Sequence, residues 1–172
     1  MKHDPINVES ASHFHRPDIA VFHCERSRCI DGFAAIEEAV IALLAILDIK
    51  AGSEPFSHKL DALRKAKANH RFSKERLQKL STLIPACETL NRLRNDIVHS
   101  QLQIAIIGDV SKACFVNTRD CTAGSQSARL FAIDGLSKLH SDIARMVVEL
   151  NQALINPPSS PPPPLPAAAG GP

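Results

Sequence analysis

Six consecutive residues, Arg94-Asn95-Asp96-Ile97-Val98-His99, hold the side chains of this chain best suited to phosphate chemistry. Arginine is a fixed cation that grips a phosphate through two parallel hydrogen bonds. Histidine is the side chain whose ordinary pKa lets it trade protons near neutrality. Asn95, next to the arginine, can donate and accept. Such a group can hold a phosphodiester and move a proton on it without a metal.

The segment that carries them reads as a helix. From Lys74 to Val98 the apolar residues Leu80, Leu83, Ile84, Cys87, Leu90, Leu93, Ile97 and Val98 recur in steps of three and four. Arg94 falls inside this stripe, four after Leu90 and three before Ile97. A charge on a buried-leaning face needs a reason, because an unpaired buried charge is costly. Two reasons are open: a salt bridge that staples the core, or a wet pocket or interface built around the guanidinium.

Other elements must position this helix. Residues 1–17 are polar and broken by Pro5 and Pro17, which predicts a loose arm. A first helix begins near Asp18 and is strongest from Cys29 to Ile49, with Phe33, Ile36, Val40, Leu43, Leu44 and Leu47 on a broad apolar face; Gly52 and Pro55 end it. A second helix fits Ser57–Ala68, with Leu60 and Leu63 inward. Ser73 reads as the N-cap of the third helix, with Arg76 where a capping box has Glu. Pro85 should kink or split that helix, and His99-Ser100 closes it. Leu102, Ile104 and Ile106 then alternate with Gln101, Gln103 and Ala105, predicting a hairpin of Gln101–Ile107 with Ser111–Thr118. A polar loop, 119–126, leads to a last helix over Ser127–Leu154. The fold class expected is mostly α: an antiparallel bundle of four to five helices, residues 18–156, with a small β-hairpin inserted before the last helix. Residues 157–172 are Pro-rich and predict a disordered, polyproline-biased tail.

At 172 residues the chain suits one domain with a sizeable core. Its longest apolar run, Ala39 to Leu47, is far short of the roughly 18 residues of a membrane span. With no signal-type segment at the N-terminus, a cytoplasmic protein without a membrane partner is expected. The five cysteines are scattered and odd in number, unlike a disulfide framework. Net charge is only +2, and there is no Trp or Tyr, so base stacking on an aromatic platform is not the expected binding mode.

A long helix, a shorter one, a helix ending in R-N-x-x-x-H, a hairpin and a final helix resemble the HEPN (higher eukaryote and prokaryote nucleotide-binding) domain family over roughly Asp18 to Leu154. Many of its members are metal-independent endoribonucleases whose arginine, following polar residue and histidine line a cleft at a symmetric dimer interface. The resemblance implies Arg94, Asn95 and His99 as a catalytic site, a homodimer, an RNA substrate and no cofactor or metal. It also implies toxin or antiviral roles, with an antitoxin or inhibitor protein as a candidate partner. Other members are non-catalytic modules that bind a partner protein or a nucleotide. On one ideal helix, five positions turn through about 140° beyond a full circle. Arg94 and His99 therefore converge only if His99 lies past the helix end or if two copies meet.

RNA carries its own nucleophile, the ribose 2′-hydroxyl. His99 would serve as general base or acid, a role typically worth about 10²–10⁴-fold. Arg94 would stabilise the crowded phosphorane, and Asn95 would orient phosphate or ribose. The expected products carry 2′,3′-cyclic phosphate ends. Glu37 lies among Phe33, Val40, Ile41 and Leu44 and is a supporting candidate able to pair with Arg94. Asp96 is a weaker one, equally explained by a surface position or a local cap. Between Lys59 and Lys79 the cations Arg64, Lys65, Lys67, Arg71 and Lys74 are candidate RNA contacts; a solvated charged face is the alternative.

His23, Cys24 and Cys29, with His13 and His15, invite a zinc reading. The C-x-x-x-x-C spacing sits inside a helix and no second pair follows, so structural cysteines are expected.

Overall fold

The computed structural model of the chain describes residues 19–107, 110–117 and 127–155. The expected N-terminal arm, the Pro-rich tail and the 119–126 loop lie outside the described residues.

Among the described residues the fold is mostly helical, a bundle of four helices with a small antiparallel sheet before the last. The first helix, α1 (Ile19–Ile46), buries Phe22, Cys29, Phe33, Ile36, Val40, Leu43 and Leu44. The last, α4 (Ile133–Ile155), buries Leu136, Leu139, Ile143, Met146 and Leu150. These two form the most extensive helix pair of the molecule. They approach so closely at Gly32 that a Cβ there would run into the Ile143 side chain.

Helix α1 stops earlier than Gly52 and Pro55 suggest. Asp48 adopts a positive φ of 59°. The Ile49 amide then bonds the Leu44 carbonyl at 2.9 Å and the Asp48 amide bonds that of Ala45 at 3.1 Å. This is the paired geometry of a Schellman termination, with Asp in the place glycine usually takes. Asn69 reinforces it, donating to the Ile46 carbonyl at 2.9 Å and to Asp48 Oδ2 at 3.0 Å.

Helix α2 (Phe56–Arg64) is shorter than the Ser57–Ala68 reading. The chain after it turns back through the Asn69 carboxamide, whose Oδ1 accepts from the amides of Arg71 and Phe72. Leu60 and Leu63 point inward as expected, with Phe56 beside them.

Helix α3 (Lys74–Val98) starts on Ser73, whose hydroxyl accepts from the Arg76 amide at 3.4 Å. Its buried stripe is Leu80, Ile84, Cys87, Leu90 and Ile97, as the spacing requires. Pro85 does not split it: helix continues on both sides, and the Thr89 hydroxyl donates to the Pro85 carbonyl at 3.1 Å. Pro85 is exposed, so its missing amide falls on the solvent side of the helix.

Among the described residues the sheet has three strands, not two. Strands β1 (Gln101–Ile107), β2 (Val110–Asn117) and β3 (Ser127–Phe131) pair antiparallel in the order β1-β2-β3. Ile104 faces Ala113, and Phe131 faces Ala113 from the other side. Leu102, Ile104, Ala113, Phe115 and Phe131 form the inner face, with the Phe115 and Phe131 rings edge to face at 5.7 Å. Residues 127–131 were expected to open the last helix. Instead their backbone pairs with β2, and α4 begins at Ile133, its first bond running from the Leu136 amide to the Ala132 carbonyl.

Candidate functional site

The helical stripe that buries Leu90 and Ile97 carries Arg94 with it, at the edge of the α1–α3 contact. Its side chain is 28 % exposed, and Nη2 lies 3.5 Å from Glu37 Oε2 on α1. Among the described residues Glu37 is its one hydrogen-bond partner. The pair anticipated for Glu37 is therefore present, and it is long. The other carboxylate oxygen, Oε1, accepts from Lys59 Nζ of α2 at 2.7 Å. Lys59 is only 6 % exposed. Two cations thus share one carboxylate where three helices meet, and the cluster keeps one net positive charge.

His99 is the C-cap of α3, exposed, with φ −96° and ψ 0°. Its amide still bonds the Asn95 carbonyl at 3.3 Å, so its Cβ leaves the backbone at a helical position. The azimuth of about 140° between residues five apart therefore persists between Arg94 and His99. Asn95 is exposed one position after Arg94. Asp96 points elsewhere, into an ion pair with Arg129 of β3 at 2.7 Å, which fastens the sheet to the end of α3.

A residue that sequence reasoning missed holds this end in place. Arg26 of α1 donates to the Ile97 carbonyl from Nε (3.2 Å) and Nη2 (3.1 Å), and to the Ser100 carbonyl at 3.0 Å. Helix C-termini leave carbonyls unpaired and carry partial negative charge, so a forked cation suits them. Nothing local marks Arg26, because its acceptors lie more than 70 positions away. Arg76 does the same for α4, donating to the carbonyls of Ala153 and Leu154 while stacking over Phe72 at 4.2 Å.

The basic segment does not form one continuous stripe. Arg64 pairs with Asp61 at 3.0 Å and with Glu88. Arg71 donates to the His70 ring at 3.2 Å. Lys65, Lys67 and Lys74 are exposed. The cysteines of the zinc reading part company: Cys24 is exposed, whereas Cys29 is buried and its thiol is pushed up to about 11 by desolvation and by Glu25. No group of three or more His, Cys, Asp or Glu placed to hold a metal occurs among the described residues.

Among the described residues, two open grooves do not include Arg94 in their lining. One, of about 320 Å³, borders the end of α1 at Ile41, Asp48 and Lys50. The other, of about 420 Å³, runs between α3 and α4 over Leu90, Asp142, Arg145 and Met146. No helix among the described residues is long and apolar enough to cross a membrane. Comparison of the chain with protein families, with curated proteins and with solved structures returned no match.

Proposed function

We propose that the chain is a metal-independent endoribonuclease of HEPN type, a homodimer that cuts RNA at the Arg94–Asn95–His99 end of α3. One observation carries the reading. Arg94 stands within an apolar stripe yet keeps 28 % of its side chain in solvent, held among the described residues by a single 3.5 Å contact to a carboxylate already engaged by Lys59. A staple that existed only for stability would close to the short, forked geometry that arginine and carboxylate favour. An arginine with donors to spare suits an incoming phosphate.

In this reading Arg94 takes a non-bridging phosphate oxygen and stabilises the charge that gathers on phosphorus. His99 removes the 2′-hydroxyl proton as the ribose oxygen attacks and passes that proton to the departing 5′-oxygen. Asn95 fixes the phosphate or ribose. Because the two side chains diverge on one helix, the Arg94 of one copy works with the His99 of another across a two-fold axis. The exposed Lys65, Lys67 and Lys74 extend the contact along the strand, with salt-sensitive affinity. A toxin or antiviral role held in check by an inhibitor protein follows from the same reading.

The test is incubation of RNA with wild type and His99→Ala in chelator. Wild type is expected to leave 2′,3′-cyclic phosphate ends and the variant to leave the RNA intact while keeping its helical circular dichroism. Equal cleavage by both, or cleavage that needs added metal, refutes the proposal. A second reading draws on the same Glu37 contact: a non-catalytic module binding a partner protein or nucleotide, with Arg94 stapling α1 to α3. That module would tolerate His99→Ala in every assay.

A further inference from the structure

Arg94 faces a carboxylate that ought to capture it. A guanidinium beside an otherwise unpaired Glu forms two parallel, charge-assisted bonds, and any phosphate would then have to displace that carboxylate. The observed pair is one contact of 3.5 Å, while Lys59 holds the other oxygen of Glu37 at 2.7 Å. Lys59 cannot readily let go. It is 6 % exposed, and α2 is pinned by Phe56, Leu60 and Leu63, themselves 6 %, 0 % and 3 % exposed. A buried ammonium without a partner is costly, so Lys59 retains its carboxylate.

We infer that Lys59 is a positioning residue: its ammonium holds Glu37 back and so leaves the Arg94 guanidinium open to an incoming phosphate. The inference rests on reading Arg94 as the phosphate ligand. Lys59 does not touch the substrate, being too buried to meet a polyanion. It acts through Glu37 alone. Removing its charge while keeping its stem, as in Lys59→Met, lets Glu37 swing fully onto Arg94. Removing the carboxylate as well, as in Lys59→Met with Glu37→Gln, sets Arg94 free again. A purely structural ion pair predicts no such rescue.

The experiment follows the Arg94 Nε–Hε resonance by ¹⁵N NMR, assigned by its loss in Arg94→Lys, while inorganic phosphate is added. Wild type is expected to show a saturable shift. Lys59→Met should bind about tenfold more weakly, the effect of losing one charge-assisted contact, and the double variant should recover wild-type affinity. Glu37→Gln alone, whose amide oxygen can still accept from Lys59, should bind at least as tightly as wild type. The inference is overturned if wild type shows no saturable shift, if Lys59→Met binds normally, if the double variant stays weak, or if Glu37→Gln weakens binding. RNA cleavage by the same proteins is read separately. A phosphate series as expected with no cleavage by wild type retires the nuclease reading and leaves the role of Lys59 standing.

Discussion

Arg26 reaches from α1 to the Ile97 carbonyl with two nitrogens, and the third bond of that fork, to Ser100, brackets His99. The general base proposed above is therefore seated by a residue 73 positions upstream, through backbone rather than side-chain contact. Arg26→Met is expected to lower stability by about 2–3 kcal/mol in urea unfolding, since hydrogen bonds from a charged donor to carbonyls otherwise left unpaired are lost together. Arg26→Lys should recover only part of this, because an ammonium is a compact point charge without the planar, spaced donors that give the guanidinium its three bonds. In RNA cleavage Arg26→Lys should reduce kcat more than it raises KM, as His99 loses its seat while Arg94 does not. A loss below about 0.5 kcal/mol for Arg26→Met, a surface value, would show the fork to be incidental.

A composite site makes a stricter demand. If each site takes Arg94 from one copy and His99 from the other, two inactive chains can complement. Co-refolding Arg94→Ala with His99→Ala in equal amounts should restore about a quarter of wild-type cleavage, because half of the dimers are mixed and each carries one intact site. Recovery of nothing, with mixed dimers shown to form, would place both residues of a site on one chain. A protein that stays monomeric at micromolar concentration in light scattering would remove the two-fold site altogether.

Much of this was legible in the sequence where periodicity alone decides structure. The stripe from Leu80 to Ile97 gave α3 and put Arg94 at the edge of the core, and Ser73 marked its start. The alternation from Leu102 to Ile106 gave β1. The failures share one cause, which is partners distant in sequence. Leu130 and Ile133 continue a helical rhythm into α4, so 127–131 read as helix. Pairing with β2 overrides that rhythm by satisfying the backbone and setting Phe131 against Phe115. Asp48 ends α1 by taking a left-handed conformation that no local rule demanded of an aspartate. In the site, Glu37 could be matched to Arg94 from facing stripes, but Lys59 read as one more surface cation. Its burial depends on how α2 docks.

The start of α3 carries a pH signature. The Glu75 carboxyl lies below its ordinary value of 4.5, held down first by its own backbone amide, then by the Ser73 hydroxyl and by Lys74. A carboxylate favoured in the folded state adds stability that is complete above the unfolded value and fades as pH falls through the folded one. Glu75→Gln should therefore be less stable than wild type at pH 7, with the difference closing as pH drops below the carboxylate range. Ser73→Ala should cost about 1 kcal/mol at pH 7, the usual worth of an N-cap, and should also shrink the Glu75 effect. A Glu75→Gln difference that is constant from pH 7 to pH 3 would mean that the ionised carboxylate is not favoured.

Gly32 sits where α1 and α4 come closest, and two opposing effects meet there. Alanine is better than glycine in a helix by about 1 kcal/mol, so on an open face Gly32→Ala would stabilise the protein. Here the added methyl has nowhere to go. It would collide with the branched side chain of Ile143, which is fully buried. Overpacking of this kind costs about 1–3 kcal/mol, and the collision involves a β-branched residue whose rotamer is fixed in a helix. The clash should win, with Gly32→Ala lowering stability by about 1–2 kcal/mol. The same substitution made in Ile143→Ala should change sign and stabilise, because the void left at 143 accepts the methyl and only the helical preference remains. Thermal or urea unfolding of the four proteins gives the coupling directly. If Gly32→Ala stabilises both backgrounds alike, the α1–α4 approach is looser than described, and the docking that brings α1 with Glu37 and Arg26 onto α3 loses its firm base.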